Sequence, residues 1–346
     1  MVKFTKDMFT SNDNKFIKNQ GRAFSLGSFK KNKMKKIKIF LVSIVVFQAA
    51  FVIAQQDAQF TQYNDNMLFF NPAYAGSKDY LTLTALHRQQ WAGIKGAPSS
   101  QTLTLHSPLR YESIGLGLSL LNDKVGPINQ TWIGGDFSYS FKLKKSRKGQ
   151  LYEGPKLSFG LKGVLNLLNG DLSQLYVNDQ NDASLASNYS NKVSGNVGFG
   201  IFYRSKHFYM GASTPSLLEP KLAATDISFS RKRHMYFSIG GYFTVNRMLK
   251  VRPSAMVKIV EQAPVAIDVS TAFIFYDKFW LGLNHRVLES AGIYAQYQIT
   301  KQFKIGYGFD ISVNRLVKYN YGTHEIMLSF DLLRNSKDAI ISPRFF

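Results

Sequence analysis

The side chains best suited to chemistry in this chain are six histidines, His87, His106, His207, His234, His285 and His324, and there is no cysteine to join them. A metalloprotease helix needs two histidines four residues apart with a glutamate between them, so that ligands and base share one face; no such spacing occurs. Hydrolysis by a nucleophile needs a serine that a histidine can deprotonate, and Ser107 beside His106 and Ser290 near His285 are the pairs to consider. Adjacent residues of an extended strand point to opposite faces, which separates the first pair. Gly115-Leu116-Gly117 and Gly306-Tyr307-Gly308 fall inside strand-like stretches rather than between a strand and a helix, so neither reads as a phosphate loop. The expectation is no catalytic residue, no metal and no cofactor.

The elements around these residues carry a stronger signal. Residues 99–107 put Leu103 and Leu105 on one side and Thr102, Thr104 and His106 on the other, and this two-residue beat recurs to the C-terminus with no helical period competing. It predicts about fourteen strands, near 80–88, 99–107, 114–121, 130–142, 155–165, 194–204, 207–214, 234–245, 249–259, 265–275, 279–286, 290–299, 302–312 and 323–332. Each approaches the length of roughly 10 residues that crosses a bilayer when tilted. Connections after even-numbered strands are mostly tight (Ser205-Lys206, Asp277-Lys278, Thr300-Lys301), and those after odd-numbered strands mostly longer, above all 166–193 and 215–233. Short periplasmic turns and long outer loops mark a transmembrane outer-membrane β-barrel, all-β and antiparallel, with its N-terminus periplasmic. The Lys-rich stretch 143–154 departs from this rule, and a soluble β-sandwich would leave the turn asymmetry without a cause.

Alternation also assigns faces. Phe303, Ile305, Tyr307, Phe309 and Ile311 share one side of a strand and Lys304, Gly306, Gly308, Asp310 and Ser312 the other. A charge on the lipid face at mid-depth costs about 2–4 kcal/mol, so the second set faces the lumen. The lumen then holds Asp136, Asp268, Asp310, Glu325 and Asp331 with Lys162, Arg204, Arg252, Arg286 and Lys304, a mixture that favours an interior closed by ion pairs over a wide selective pore. Trp132, Tyr139, Phe141, Tyr203, Tyr276, Phe279 and Trp280, at strand ends, suit interfacial girdles.

Export is written at the start. Lys35, Lys36 and Lys38 precede an apolar run from Ile39 to Ala54 that is short for a spanning helix and ends in small residues, the form of a signal peptide over 34–54. Met34 is the expected true start, with 1–33 an upstream extension. Of 43 Lys and Arg, 11 precede Gln55, as do 2 of 22 Asp and Glu, leaving 32 against 20 and a net charge of +12. An exported chain with dispersed basic residues points away from nucleic acid and toward outer-membrane lipid or an acidic protein partner.

Three further blocks are not explained by barrel physics. They are the mature N-terminal stretch Gln59-Phe60-Thr61-Gln62-Tyr63 with Phe69-Phe70-Asn71-Pro72-Ala73-Tyr74-Ala75-Gly76, the block Leu86-His87-Arg88-Gln89-Gln90-Trp91-Ala92-Gly93-Ile94 with Gly96-Ala97-Pro98, in which Arg88, Gln90 and Trp91 are the most specific, and the end of the chain, with His324-Glu325 and the tail Ser342-Pro343-Arg344-Phe345-Phe346. From about Asp57 to Phe346 the chain resembles the PorP/SprF family of the Bacteroidota, outer-membrane proteins of the type IX secretion and gliding machinery. The resemblance implies a non-enzymatic component that aids secretion and surface anchoring of a large adhesin through its C-terminal sorting domain. It implies as partners other type IX components, including a periplasmic ring and a peptidoglycan-binding lipoprotein. It implies Asn71, Pro72, Tyr74, Gly76, Arg88, Gln90, Trp91, His324, Glu325, Pro343, Arg344, Phe345 and Phe346 as structural or partner-binding residues. The alternative function is a passive or solute-selective outer-membrane channel.

The same residues have a physical reading. Asn71-Pro72 forms a turn, and Gly76 allows positive φ before the first strand. Met67, Leu68, Phe69 and Phe70 would leave a sticky patch if free in the periplasm, so residues 55–79 are expected to pack as a plug or lid at the base or in the lumen of a barrel spanning 80–332, with 333–346 a periplasmic tail. Arg88 and Trp91 suit either a partner-binding hot spot or a lumen ion pair beneath an interfacial ring.

Overall fold

The computed structural model describes residues 58–78, 80–109, 113–144, 154–171, 189–219, 221–224, 227–230, 232–261 and 263–332. The extension 1–33, the signal peptide 34–54, residues 55–57 of the plug, and the tail 333–346 with Pro343, Arg344, Phe345 and Phe346 lie outside the described residues.

Fourteen strands make the wall. They begin with β1 Leu81–Gln89, β2 Ser99–Pro108, β3 Ile114–Val125, β4 Ile128–Lys142, β5 Lys156–Gly170, β6 Tyr189–Arg204 and β7 Phe208–Thr214. They continue with β8 His234–Gly241, β9 Leu249–Val260, β10 Ala266–Phe275, β11 Phe279–Arg286, β12 Ser290–Gln298, β13 Phe303–Ser312 and β14 Thr323–Leu332. Each pairs antiparallel with its chain neighbours, and β1 pairs with β14 from Leu81↔Leu332 to Gln89↔His324, which closes the sheet. Hydrocarbon offers no water to bond a free strand edge, so a membrane-spanning sheet has to close on itself.

The burial pattern is the reverse of a soluble protein's. Along β5, Ser158, Lys162 and Asn166 are buried while Phe159, Leu161 and Leu165 are exposed; β14 buries Glu325 and Ser329 and exposes Ile326, Leu328 and Phe330. Such an exterior is stable only against lipid, and the chain is an integral outer-membrane barrel. Among the described residues no helix is long and apolar enough to cross a membrane.

Two expectations need correction. The β5–β6 loop shrinks from 166–193 to 171–188, because Asn166 pairs with Ser194 and Leu168 with Lys192 as further rungs of the ladder. The stretch 234–245 is broken at Tyr242, whose N–H donates to the His207 carbonyl (2.8 Å), and only Phe243–Thr244 resumes pairing with β9. Pro253, with no N–H to offer β8, lies opposite this break. The expected asymmetry holds: the connections after odd strands are mostly long (90–98, 171–188, 215–233 and 313–322, against the shorter 126–127, 261–265 and 287–289). The two rims are called here the loop end, after odd strands, and the turn end.

Residues 58–77 fill the lumen. A 3-10 turn Tyr63–Asp65, the one-turn helix α1 Met67–Phe70 and a second 3-10 turn Pro72–Tyr74 succeed one another, and Phe60, Tyr63, Met67, Leu68, Phe69, Phe70 and Tyr74 are all buried. Phe69 stacks on Trp132 (5.9 Å between centroids), Phe70 meets Tyr236 (5.2 Å), and Tyr74 stands edge-on to His106 and Phe202 (5.3 and 5.4 Å). At Gly160 the plug comes so close that a Cβ would collide with the Ala73 nitrogen. The plug is thus seated in the wall itself.

Candidate functional site

Plug and wall are joined by two charged nodes. In the first, the Glu325 carboxylate accepts the backbone N–H groups of Thr61 and Gln62, both at 2.8 Å, and the Gln62 Nε2 at 3.2 Å. Arg88, facing Glu325 across the β1–β14 closure, donates to Glu325 Oε2 (3.1 Å), to Asp310 Oδ2 (2.8 Å) and to the Thr61 hydroxyl (2.7 Å). That hydroxyl donates in turn to Asp310 Oδ2 (2.6 Å). Three strands and the plug therefore share one buried network, of which Arg88 and Glu325 are each 2% exposed or less.

Asp65 organises the second node. It accepts from Lys304 Nζ (2.7 Å), Arg252 Nη2 (3.1 Å) and Gln296 Nε2 (2.9 Å). Asp65 stands on the plug rather than on a spanning strand. Burial works against its ionisation, but Arg252 and Lys304 outweigh it and hold the carboxyl well below the usual carboxylate range. Elsewhere Lys162 Nζ donates to the Leu68 and Phe69 carbonyls (3.3 Å each), part of the unsatisfied C-terminal set of α1, and pairs with Asp136 at 3.3 Å. Ser213 donates to the Phe70 carbonyl (2.9 Å) and Ser138 to that of Ala75 (2.6 Å), so the attachment continues around the wall.

The residues expected from the sequence divide into four places. Asn71, Pro72, Tyr74 and Gly76 belong to the plug: the Asn71 side chain accepts from Ala73 N (2.9 Å) and donates to the Ile201 carbonyl (3.0 Å), and Gly76 has φ +64°. Arg88 and Glu325 form the first node. Gln90 and Trp91 lie at the loop-end rim, where Gln90 N donates to the Pro98 carbonyl (2.9 Å) and Trp91 N to Thr323 Oγ1 (3.2 Å). His324 points outward beside Glu325 and bonds the Tyr307 hydroxyl through Nδ1 (2.7 Å). Trp132 and Trp280, read as girdle residues, are instead buried in the lumen, Trp132 under Phe69 and Trp280 beneath the Lys304 ammonium (5.1 Å). Lumen aromatics are needed to cover an apolar plug, and alternation alone does not foresee the plug's demand.

Sequence reasoning missed Thr61 and Asp65 as anchors, and with them Asn64, which donates to Ser254 Oγ (2.7 Å) and accepts from the Tyr209 hydroxyl (2.6 Å), although an acidic residue beside a run of buried apolar ones signals a partner of opposite charge. It also missed a platform at the loop end. There, Ala92 N donates to the Gly322 carbonyl and Tyr321 N to that of Ala92 (2.8 Å each), while Val313 N donates to the Glu289 carbonyl (2.9 Å). These bonds brace the 90–98, 287–289 and 313–322 connections together, and the platform exposes Leu288, Val317, Tyr319 and Tyr321 (81% exposed) with the basic Lys95, Arg315 and Lys318. As to chemistry, His106 faces inward and Ser107 is on the other face, bonded to the next carbonyl. Among the described residues no group of three or more His, Asp or Glu is placed to hold a metal.

Residues 52–330 match the family described as type IX secretion system membrane protein PorP/SprF. Among curated proteins none matches. Of solved structures, the outer membrane protein Omp33 of Acinetobacter baumannii is 9% identical with a TM-score of 0.41, covering 74% of this chain and 99% of its own. The Pseudomonas putida toluene transporter TodX is 12% identical with a TM-score of 0.41, covering 76% and 92%. The CymD monoaromatic hydrocarbon channel is 12% identical with a TM-score of 0.44, covering 80% and 94%.

Proposed function

Because the chain belongs to the PorP/SprF family of type IX secretion system membrane proteins, we propose that it is a non-enzymatic accessory of that machine which helps a large secreted adhesin, through its C-terminal sorting domain, to reach and stay on the cell surface. Turns face the periplasm and the loop end faces outward. Gliding motility is the process such an adhesin serves, and the periplasmic ring and a peptidoglycan-binding lipoprotein are the contacts at the turn end.

The observation that carries this reading is the filled lumen. With Phe60, Leu68, Phe69 and Phe70 buried at its centre and two charged nodes tying it to the wall, the plug occupies the space a solute would cross, which counts against the channel alternative. For the adhesin, this leaves the outer surface of the loops. The braced platform supports a protein partner there, since exposed tyrosines with neighbouring basic residues are the composition of interface hot spots.

Pull-down of the tagged protein from native membranes tests the proposal. The expected result is co-purification of a high-mass secreted polypeptide, reduced at least tenfold when Tyr321→Ala, Arg315→Glu and Lys318→Glu are combined. Deletion of the gene with every exported protein still reaching the surface overturns it.

A further inference from the structure

Four turns follow one another at the turn end along the arc from β6 to β13: 205–207, 242–248, 276–278 and 299–302. Each carries one exposed cation, Lys206, Arg247, Lys278 and Lys301 in chain order. Among the described residues none of these four side chains has a hydrogen-bond or ion-pair partner. Asp277 is the acidic residue of the four turns, and Lys250 already holds it at 2.6 Å. The loop end of the same arc is different, since Glu261 stands with Lys232 (3.6 Å) and Glu289 with Arg286 (3.3 Å). Like charges left unpaired along one rim repel one another, so a surface that keeps them is poised for a negative partner.

The cations are held at fixed places. Tyr242 N donates to the His207 carbonyl, Tyr276 N to that of Met248, and Gln298 N, beside the last turn, to that of Lys278, each at 2.8 Å. Backbone bonds therefore run from each turn to the next. Successive turns are two strands apart, roughly 10 Å at ordinary strand spacing. A row braced in this way loses little freedom on binding.

Height relative to the membrane decides what the row can meet. Phe243 lies opposite Val251, whose neighbour Arg252 is buried in the lumen, so Phe243 faces lipid and Val245, two residues on, keeps that face. Ile299 follows Tyr297 on the lipid face of β12 in the same way, with Gln296 buried behind them. Phe243, Val245, Met248, Tyr276 and Ile299 are all exposed, so Arg247, Lys278 and Lys301 each stand within two residues of an apolar side chain at the edge of the lipid face. A long basic side chain at that edge lays its stem on apolar surface and holds its charge in the headgroup layer.

From this we infer that the turn-end rim binds the anionic headgroups of phospholipids in the adjoining leaflet, through one cation on each of the four turns. A soluble acidic protein fits less well, because to reach the cations it must also cover apolar side chains that face sideways into the bilayer. Headgroups bring phosphate to the level of the charges, and their acyl chains meet the apolar residues beside them. In the orientation given above this is the inner leaflet, but the binding itself does not rest on that orientation.

The full-length protein is reconstituted in nanodiscs of phosphatidylcholine mixed with phosphatidylglycerol, and the lipids that stay bound are read by native mass spectrometry. Phosphatidylglycerol should be enriched over its share of the bilayer, and less so as salt is raised. Lys206→Glu, Arg247→Glu, Lys278→Glu and Lys301→Glu combined should cut the enrichment by at least about twofold. Lys124→Glu with Lys192→Glu, near the loop end, should leave it in place. Heat-modifiable migration confirms that each barrel is folded; if the fourfold variant is not, single changes to glutamine at the same exposed positions replace it, and each should lower the enrichment. No enrichment in the native protein, enrichment that survives loss of the turn-end cations, or enrichment that follows the loop-end cations instead overturns the inference, whatever acidic protein the barrel retains.

Discussion

Arg88 is the residue on which plug, β1, β13 and β14 converge, and its value lies in having no solvent to fall back on. Removing one member of a buried ion pair leaves the other charged and unpaired, at a cost of about 3–5 kcal/mol. Arg88→Ala should therefore lower the temperature at which the folded band disappears in heat-modifiability gels, and Glu325→Gln, which keeps the shape and loses the charge, should do so by a comparable amount. Asp65 permits a test by pH. Its carboxyl is held below its unfolded value, so the stability it contributes is complete above the ordinary carboxylate range of about 4 and is lost only as the pH falls through the lower folded value. Protease protection of residues 58–77 should stay constant from about pH 8 to about pH 5 in the native protein, and Asp65→Asn should weaken it at neutral pH. At this scale the sequence was partly legible. The inward charges, Asp268, Asp310 and Arg286 among them, follow from alternation, but which of them meets the plug depends on the path of residues 61–66, and these show no period to read.

Strands were the most readable elements, since a two-residue period bounded by turn residues needs no tertiary information. The ends that moved were those where polar residues continue a ladder beyond the membrane zone, as Asn166 and Lys192 do in β5 and β6. Composition there says loop, whereas cross-strand pairing says strand. The plug was foreseen from Met67–Phe70, which had to be covered by something, but its seat was not, because the cut-outs that receive it are single glycines scattered over several strands. Gly160 is the sharpest of these: a side chain there meets the backbone at Ala73. Gly160→Val should unseat the plug without disturbing the lipid face, seen as proteolysis of residues 58–77 in a barrel that still migrates as folded; retained protection would mean that the seat is softer than the contact implies.

The whole molecule is a closed sheet turned inside out around a segment of its own chain. Its apolar exterior follows from lipid as solvent, and its polar interior is made tolerable by pairing nearly every lumen charge with the plug or with a neighbouring strand. Architecture and membrane were legible from periodicity and the export signal, and the family from the blocks around Asn71, Arg88 and Glu325. The loop-end platform was not, because its tyrosines and basic residues come from connections that only closure of the barrel brings together. A lumen filled by residues 58–77 should be occupied rather than conducting. In planar-bilayer recording the purified full-length protein should pass no steady current above that of the bare membrane; a stable, ohmic open-pore conductance would mean that the plug does not fill the barrel.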